Sequence, residues 1–326
     1  MIKRREFIAG LGSAAAWPVS ARAQESEMPV IGLLSAGTPE SDAKFMEAFR
    51  AGLRGAGYVE GRNVTFVQRW ARSELERLPE LVADLVRLRV AVIVTLSSTA
   101  AALAAKVATR SIPIVFMSGG DPVKLGLVAS MTKPDGNITG MTYFNPELES
   151  KRFELLHELV PNAERYAVLV NLTGPLAQSK ISAVKEATSA SGRQIEIFNA
   201  VNTVNIDTAF ARLIEWRAPA DILFIDRRQQ LVSLTLQHSL PALYSDRTFT
   251  EVGGLISYGP SYADLLRQVG AYTGRIIKGD KPADLPVERL RKFELVIMAA
   301  FFSTIMTVLF KVRDRVLKWQ KGVIKW

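Results

Sequence analysis

The feature that most constrains this fold is a regular alternation of short apolar runs with stretches of helical periodicity. An apolar run at residues 30–37 (VIGLLSAG) is followed by a stretch at 40–57 in which Phe45, Phe49 and Leu53 recur at helical spacing. Strands that are apolar throughout and are separated by helices indicate parallel sheets covered on both faces. The pattern therefore predicts a doubly wound α/β architecture.

The alternation occurs twice, once over residues 29–145 and again over 146–252. In the first series we predict strands at 30–37, 63–70, 91–98, 112–122 and 137–144 and helices at 40–57, 78–89 and 99–109. In the second we predict strands at 165–172, 193–200, 220–226, 241–246 and 253–259 and helices at 149–160, 178–191 and 229–239, with another that ends near Trp216. A helix at 262–279 is expected to return to the first unit. We therefore expect two similar lobes, one formed by 24–145 together with 253–298 and the other by 146–252.

The first residues, MIKRREFIAGLGSAAAWPVSARAQ, have the organisation of an export leader. Arg4 and Arg5 precede an apolar run at 8–19 that is too short to span a bilayer, and Ala21-Arg22-Ala23 forms a small-x-small cleavage motif. The pair of arginines favours the twin-arginine route. We therefore expect residues 1–23 to be an export signal peptide.

The formal net charge of +9 is concentrated at the two ends of the chain. Residues 1–23 carry a net charge of +3 and residues 299–326 a net charge of +5, which leaves +1 for the rest. A body that is so nearly neutral has no global field to attract nucleic acid. We therefore expect no nucleic-acid partner.

Nothing in the sequence indicates catalysis or a metal. The chain has no cysteine, which excludes disulfides, thiolate ligands and cysteine nucleophiles, and its two histidines, His157 and His238, belong to no set with metal-ligand spacing. No nucleophile elbow, P-loop or complete dinucleotide-binding motif occurs. We expect no enzyme, no cofactor and no metal.

Small and polar residues follow several predicted strands, where ligands bind in open α/β sheets. They are Ser35, Ser97, Ser98, Thr99, Asp121 and Asn171. The hydroxyls of 97–99 lead into an alanine-rich helix, whose free N–H groups suit a carboxylate or another anion. The alternative is that one hydroxyl only caps this helix, and the two roles can coexist.

Asp121 has a second interpretation, and three further positions are candidates for the ligand site. Asp121 either accepts a hydrogen bond from a ligand ammonium or caps the next helix. Tyr143 and Tyr258 end predicted strands and either wall an apolar pocket or belong to the core. Asp226, the second-lobe candidate for charge pairing, lies beside two arginines and could instead form a surface ion pair.

Long phrases of the sequence resemble the ABC transporter substrate-binding family, and within it the branch that binds tryptophan and other aromatic amino acids. They are AFRAGLRGAGYVEGRNV, IPIVFMSGGDPVKLGLVASMTKPDGNITGMT, KRFELLHELVPNAERYAVLVN and GGLISYGPSYADLLRQVGAYTGRIIKGDKPADLPVE, within residues 28–297. The resemblance implies a type I periplasmic binding-protein fold, with two Rossmann-like (flavodoxin-like) lobes. It also implies capture of a small solute in the periplasm and delivery to an inner-membrane permease. It places the binding positions at Ser97, Ser98, Thr99, Asp121 and Asn171.

The sequence departs from this family at two places. The loop between ADILFI and RRQQLVSL is shorter than usual, so that Asp226 runs straight into Arg227. The chain then ends in a tail at 299–326, where an uncharged stretch at 295–310 is followed by six Lys or Arg residues. A basic flank suits anionic lipid head groups, so residues 295–326 are a candidate for membrane contact. A tail anchor, an interfacial helix, a replaced core segment and a fusion or reading-frame artefact are the alternatives.

Import of a solute is the leading function. In this hypothesis both lobes contact the ligand only when a hinge has closed. A membrane-tethered ligand sensor with the same fold is the alternative. An enzyme that uses Asp121 or Asp226 as a base is a third hypothesis, but neither aspartate has a nucleophile or a histidine nearby in the sequence.

Overall fold

The computed structural model describes residues 28–96, 98–144, 148–189, 192–222, 227–290 and 292–298, which form two α/β units with one sheet each. The first sheet is parallel throughout, as the apolar runs predict. Its strands lie in the order β11 (Glu288–Arg289), β5 (Ile138–Thr142), β4 (Ile114–Ser118), β3 (Val92–Leu96), β1 (Val30–Ser35) and β2 (Thr65–Trp70).

The second sheet has the same number of strands and one antiparallel edge. Its order is β12 (Phe293–Ile297), β10 (Ile256–Pro260), β9 (Ala242–Tyr244), β8 (Ala220–Ile222), β6 (Arg165–Val170) and β7 (Gln194–Asn199). Only β12 runs antiparallel to its neighbour, and the remaining pairs are parallel. Together the two sheets confirm the predicted fold class.

Helices cover both faces of the first sheet. They are α1 (Pro39–Gly55), α2 (Leu78–Arg87), α3 (Thr99–Ala108) and α9 (Tyr262–Ile277), with short 3-10 helices at Leu75–Arg77 and Pro282–Asp284. α1 begins with a capping box, because the Ser41 amide donates to Thr38 Oγ1 at 3.2 Å and the Thr38 amide donates to Ser41 Oγ at 2.9 Å. α1 and α9 pack together on one face, and α2 and α3 lie on the other.

The second sheet is also covered on both faces. Its helices are α4 (Leu148–Leu159), α5 (Ala177–Ser189), α6 (Thr203–Trp216), α7 (Arg228–Gln237) and the short α8 (Arg247–Thr250). One core includes Phe210, Leu213 and Leu231 from α6 and α7, and another includes Phe153 and Leu156 from α4. Each lobe therefore has an apolar core on both sides of its sheet.

One predicted lobe boundary is wrong for two strands. We expected the whole of residues 253–298 to join the first lobe, but β10 and β12 pair with each other and β10 pairs with β9 in the second sheet. α9 and β11 do join the first lobe, as expected for a helix that returns there. Apolar periodicity identifies a strand but does not say which sheet it joins, since that depends on distant pairing. The rest of the lobe division stays a prediction.

Along the described residues, the chain passes from one lobe to the other three times. It passes from β5 to α4, from β10 to α9 and from β11 to β12. None of the helices found among the described residues has the length and apolar character needed to cross a bilayer. The expected leader at 1–23 and tail at 299–326 lie outside those residues.

Candidate functional site

A cavity of about 250 Å³ lies between the lobes, beyond the carboxyl ends of strands from both sheets. The first lobe contributes the loops that follow β1, β3, β4 and β5. The second contributes the loops after β6 and β9 together with the first turns of α4 and α5. This is where ligands bind in parallel α/β folds, and the volume fits a small solute.

The start of α3 forms a polar wall of the cavity. Ser98 caps the helix, because its Oγ accepts a hydrogen bond from the Ala101 amide at 3.1 Å, and it also lines the cavity. Thr99 Oγ1 lies 3.1 Å from Ser118 Oγ and accepts from the Gly119 amide at 3.2 Å. The amides of Thr99 and Ala100 stand at the first two helical positions, where they have no acceptor within the helix. This wall suits an anionic group.

An aromatic wall stands beside these hydroxyls. The rings of Tyr143 and Tyr262 meet edge to face with their centroids 5.3 Å apart, and Phe45 lies 5.4 Å from Tyr262. Burial raises the pKa of both tyrosines, which therefore stay neutral. A Cβ at position 119 would come within 2.5 Å of the Tyr143 hydroxyl, so Gly119 leaves room for this ring. The wall offers flat apolar surface to a ligand.

The second lobe places a buried guanidinium under the cavity. Arg152, which is 1% exposed, pairs with the carboxylate of Asp221 through Nη2 and through Nε, which lies 3.3 Å from Oδ2. Its Nη1 donates to the carbonyls of Tyr244 and Tyr258, at 2.8 Å in each case. Burial alone would lower the pKa of Arg152, but the adjacent carboxylates of Asp221 and Glu149 raise it. The guanidinium thus joins α4 to β8, β9 and β10.

Two further charged side chains reach the cavity from the second lobe. Glu149 Oε2 lies 3.6 Å from Arg152 Nε, and burial raises the pKa of this carboxyl although Arg152 opposes the change. Lys180 is half-buried on α5, and burial lowers its pKa while Glu149 opposes that shift. Both line the cavity, so the second lobe presents charges of either sign.

Contacts between described residues join the lobes across the cleft. Arg228 Nη2 donates to the carbonyl of Ser41 at 3.2 Å, and Lys44 Nζ lies 2.5 Å from Glu251 Oε2. Leu176 lies against Gly120, where a Cβ would come within 2.5 Å of the leucine Cδ2. The cavity is therefore bounded by both lobes and by contacts between them.

The structure brings together five of the predicted site residues. Ser35, Ser98, Thr99, Tyr143 and Asn171 all line the cavity. Ser35 uses its hydroxyl to accept from the Gly37 amide at 3.0 Å, and Asn171 Oδ1 accepts from the Thr173 amide at 2.9 Å. Ser35 and Asn171 thus also shape the loops on which they lie.

Two predicted site residues do not line the cavity, and two others cannot be placed. Asp121 Oδ1 accepts from the amides of Val123 at 3.0 Å and Lys124 at 3.3 Å, which is the capping alternative. Tyr258 is 3% exposed and packs in the second-lobe core near Phe293. Ser97 and Asp226 lie outside the described residues.

Several residues that line the cavity were not among the site residues predicted from the sequence. They are Asp42, Phe45, Glu149, Arg152, Lys180 and Tyr262. For α4 a signal did exist, because Glu149, Arg152, Phe153 and Leu156 recur at helical spacing and all are buried. Charged residues on the apolar face of a helix indicate a buried polar network.

Comparison with known proteins identifies the family. The family profile described as "ABC transporter substrate binding protein" matches residues 34–321. The chain belongs to this family. The match continues past residue 297, where the resemblance was expected to end, and includes most of the tail that was expected to depart from it.

This substrate-binding protein is similar to a named binding protein and to solved structures of the same fold. A tyrosine-binding protein of Clostridioides difficile is 24% identical over 262 residues, which are 78% of this chain and 74% of the relative. A domain from Streptococcus pneumoniae solved with L-Trp has a TM-score of 0.76 and 23% identity, over 86% of this chain and 97% of that one. A conserved domain protein of Vibrio cholerae has a TM-score of 0.78 and 23% identity, over 87% and 98%.

These matches confirm the fold of two α/β lobes and the family expected from the sequence. The protein is a solute-binding component of an ABC transporter, and its family binds substrates without transforming them. Within the part of the chain that the structure describes, no group of three or more His, Cys, Asp or Glu side chains could hold a metal ion. Membership of this family and the volume of the cavity identify the site as a binding site for a small solute.

Proposed function

We propose that this protein captures an aromatic amino acid between its lobes, outside the cytoplasm, and delivers it to a permease of the inner membrane. The observation that carries the proposal is the pairing of an anion-binding helix start with an aromatic wall in one cavity. The amides of Thr99 and Ala100 suit the ligand carboxylate, and the rings of Phe45, Tyr143 and Tyr262 suit a flat side chain. Relatives that bind tyrosine and L-Trp support this ligand class.

Closure of a hinge is the proposed mechanism of capture. Residues of both lobes line the cavity, so one molecule can contact both lobes only when they approach each other. A ligand that makes these contacts shifts the equilibrium toward the closed arrangement. The permease would then distinguish closed from open protein by the relative position of the lobes.

A thermal-shift screen of the full chain tests the ligand class. L-Trp, L-Tyr and L-Phe should raise the melting temperature, because a ligand that binds only the folded state stabilises it by about 2.7 kcal/mol at one hundred times its Kd. L-Leu, L-Glu and a sugar alcohol should give smaller shifts at the same concentration. Larger shifts with these compounds than with aromatic amino acids would contradict the proposal.

A charge placed at the start of α3 tests the carboxylate position. Ala100→Asp should weaken the binding of L-Trp by roughly 10-fold or more, since the new carboxylate would repel that of the ligand. The fold should persist because an acidic residue in the first turn stabilises a helix. Asp121→Ala is the control and should leave the affinity unchanged, because Asp121 lies away from the cavity. Unchanged affinity in Ala100→Asp would remove the carboxylate from this position.

A further inference from the structure

Glu149 brings an unsatisfied carboxylate oxygen to the cavity. The residue is 9% exposed and lines the cavity, and its Oε2 is buried without accepting a hydrogen bond from any described residue. Buried polar atoms in folded proteins nearly always have a hydrogen-bond partner, because an unpaired one loses its hydration without replacement. The described residues around the cavity therefore supply no hydrogen-bond donor to this carboxylate oxygen.

Arg152 does not supply that donor. Its Nε lies 3.6 Å from Glu149 Oε2, beyond hydrogen-bond distance, and is directed instead at Asp221 Oδ2 at 3.3 Å. Its Nη1 donates to the carbonyls of Tyr244 and Tyr258. The hydrogen bonds of the guanidinium are therefore made to Asp221 and to backbone carbonyls of the second lobe. Its positive charge compensates Asp221 as well as Glu149.

The other charged and titratable groups around Glu149 leave it incompletely compensated. Lys180 on α5 favours the ionised carboxylate, whereas Asp221 on β8 disfavours it, and Tyr143 at the end of β5 also interacts with it electrostatically. The net effect is that burial raises the pKa of Glu149. An additional cation in the cavity would stabilise the ionised form.

We propose that Glu149 accepts hydrogen bonds from the ammonium group of the bound ligand. This proposal rests on the proposed function, in which the carboxylate of the same ligand binds at the start of α3. A primary ammonium is a compact cation with three donors, and its hydrogen bonds to a buried carboxylate are among the stronger ones in proteins. The two charges of an α-amino acid are then recognised by different lobes. The site therefore selects zwitterions over the corresponding acids that lack the amino group.

A comparison of two ligands in one variant tests this assignment. Glu149→Gln keeps the shape of the side chain but removes its charge. In the full chain it should weaken the binding of L-Trp by roughly 10- to 100-fold, the range expected for a hydrogen bond to a charged group. The affinity for 3-indolepropionic acid, which lacks the ammonium, should change less than about 3-fold. Both affinities are measured by calorimetry or by competition at the same pH.

Matched variants separate this role from a structural one. Glu186→Gln on α5 removes an exposed carboxylate away from the cavity and should change neither affinity. Should Glu149→Gln fail to fold, Glu149→Asp keeps the charge but withdraws it, and should show the same selective loss for L-Trp. Equal weakening of both ligands would indicate a structural role, and an unchanged L-Trp affinity would place the ammonium elsewhere. Failure of the unmodified protein to bind any amino acid would instead contradict the proposed function.

Discussion

Arg152 is the largest fully buried side chain among the described residues, and its charge is balanced by carboxylates that are buried with it. Arg152→Met fills a similar space but leaves Asp221 and Glu149 uncompensated. We expect it to lower the free energy of unfolding by about 3–5 kcal/mol, as for other broken buried ion pairs. Denaturant unfolding with an unchanged slope measures this loss.

Arg87 provides the matched control for that variant. It forms an ion pair of 2.9 Å with Asp84, but its side chain is 75% exposed. Arg87→Met should change the stability by less than about 1 kcal/mol, because water already solvates and screens an exposed pair. Similar losses of unfolding free energy in the two variants would show that the contribution of Arg152 to stability does not depend on its burial.

At the scale of single residues the sequence predicted those cavity residues whose position follows from the neighbouring strand and helix. Ser98 and Thr99 were predicted because they directly follow an apolar strand and begin a helix, and strand ends meet at one edge of the sheet. Arg152 and Asp221 were not predicted, since they are far apart in sequence and each looks like an ordinary polar residue of its element. For Asp121 the sequence left ligand binding and capping open, because a capping aspartate and a ligand-binding one have the same sequence context, and the structure shows the capping contacts.

Two glycines allow helices α1 and α9 to touch. A Cβ at Gly52 would overlap the carbonyl oxygen of Arg267, and a Cβ at Gly270 would lie 2.7 Å from the Leu53 amide nitrogen. Either helix must therefore move if a methyl group is added. We expect Gly52→Ala and Gly270→Ala each to lower the free energy of unfolding by about 2–3 kcal/mol, in the range of overpacked cores. Thermal or denaturant unfolding measures the change.

Gly55, on the same helix α1, is the control for these substitutions. A Cβ built at Gly55 has no neighbour within 4 Å, so Gly55→Ala adds a methyl group in open space. It should be neutral or stabilising by up to about 1 kcal/mol, because alanine has the higher helix propensity. A loss of stability at Gly55 as large as that at Gly52 would mean that helix packing is not the cause.

At the scale of elements the long periodic segments were predicted well, and some of the short ones were missed. α1, α3 and α9 lie within a few residues of their predicted ranges, since an apolar stripe over three or more turns leaves a strong pattern. The four-residue α8 and the two-residue β11 were not predicted, because so few residues show no period. β12 was also missed, since it lies beside the apolar tail and pairs with a strand far back along the chain.

At the scale of the whole molecule the sequence predicted two lobes and a cleft but not how the chain divides its last strands between them. Three crossings connect the lobes, and β10 and β12 depend on pairing across long stretches of chain. Contacts across the cleft also influence the relative position of the lobes. Arg228 makes one of them, because its Nη2 donates to the carbonyl of Ser41, a residue that also lines the cavity.

Loss of this contact should shift the molecule toward an open arrangement. Arg228→Gln removes the hydrogen bond between the lobes, while Asp246, which Arg228 faces, keeps the hydrogen bond from the Thr248 amide at 2.8 Å. If only the closed arrangement binds tightly, the apparent Kd rises as the closed fraction falls. We expect L-Trp affinity to fall about 3- to 10-fold, the range of one hydrogen bond. Arg227→Gln is the matched control, because Arg227 donates to Thr203 within the second lobe.

Small-angle scattering completes this test, because it measures the arrangement of the lobes without reference to affinity. The ligand-free Arg228→Gln variant should have a larger radius of gyration than the unmodified protein, and saturating L-Trp should bring both to the same value. The Arg227→Gln variant should match the unmodified protein in both states. Weaker binding with an unchanged radius of gyration would show that Arg228 acts on the ligand site directly and not through closure of the lobes.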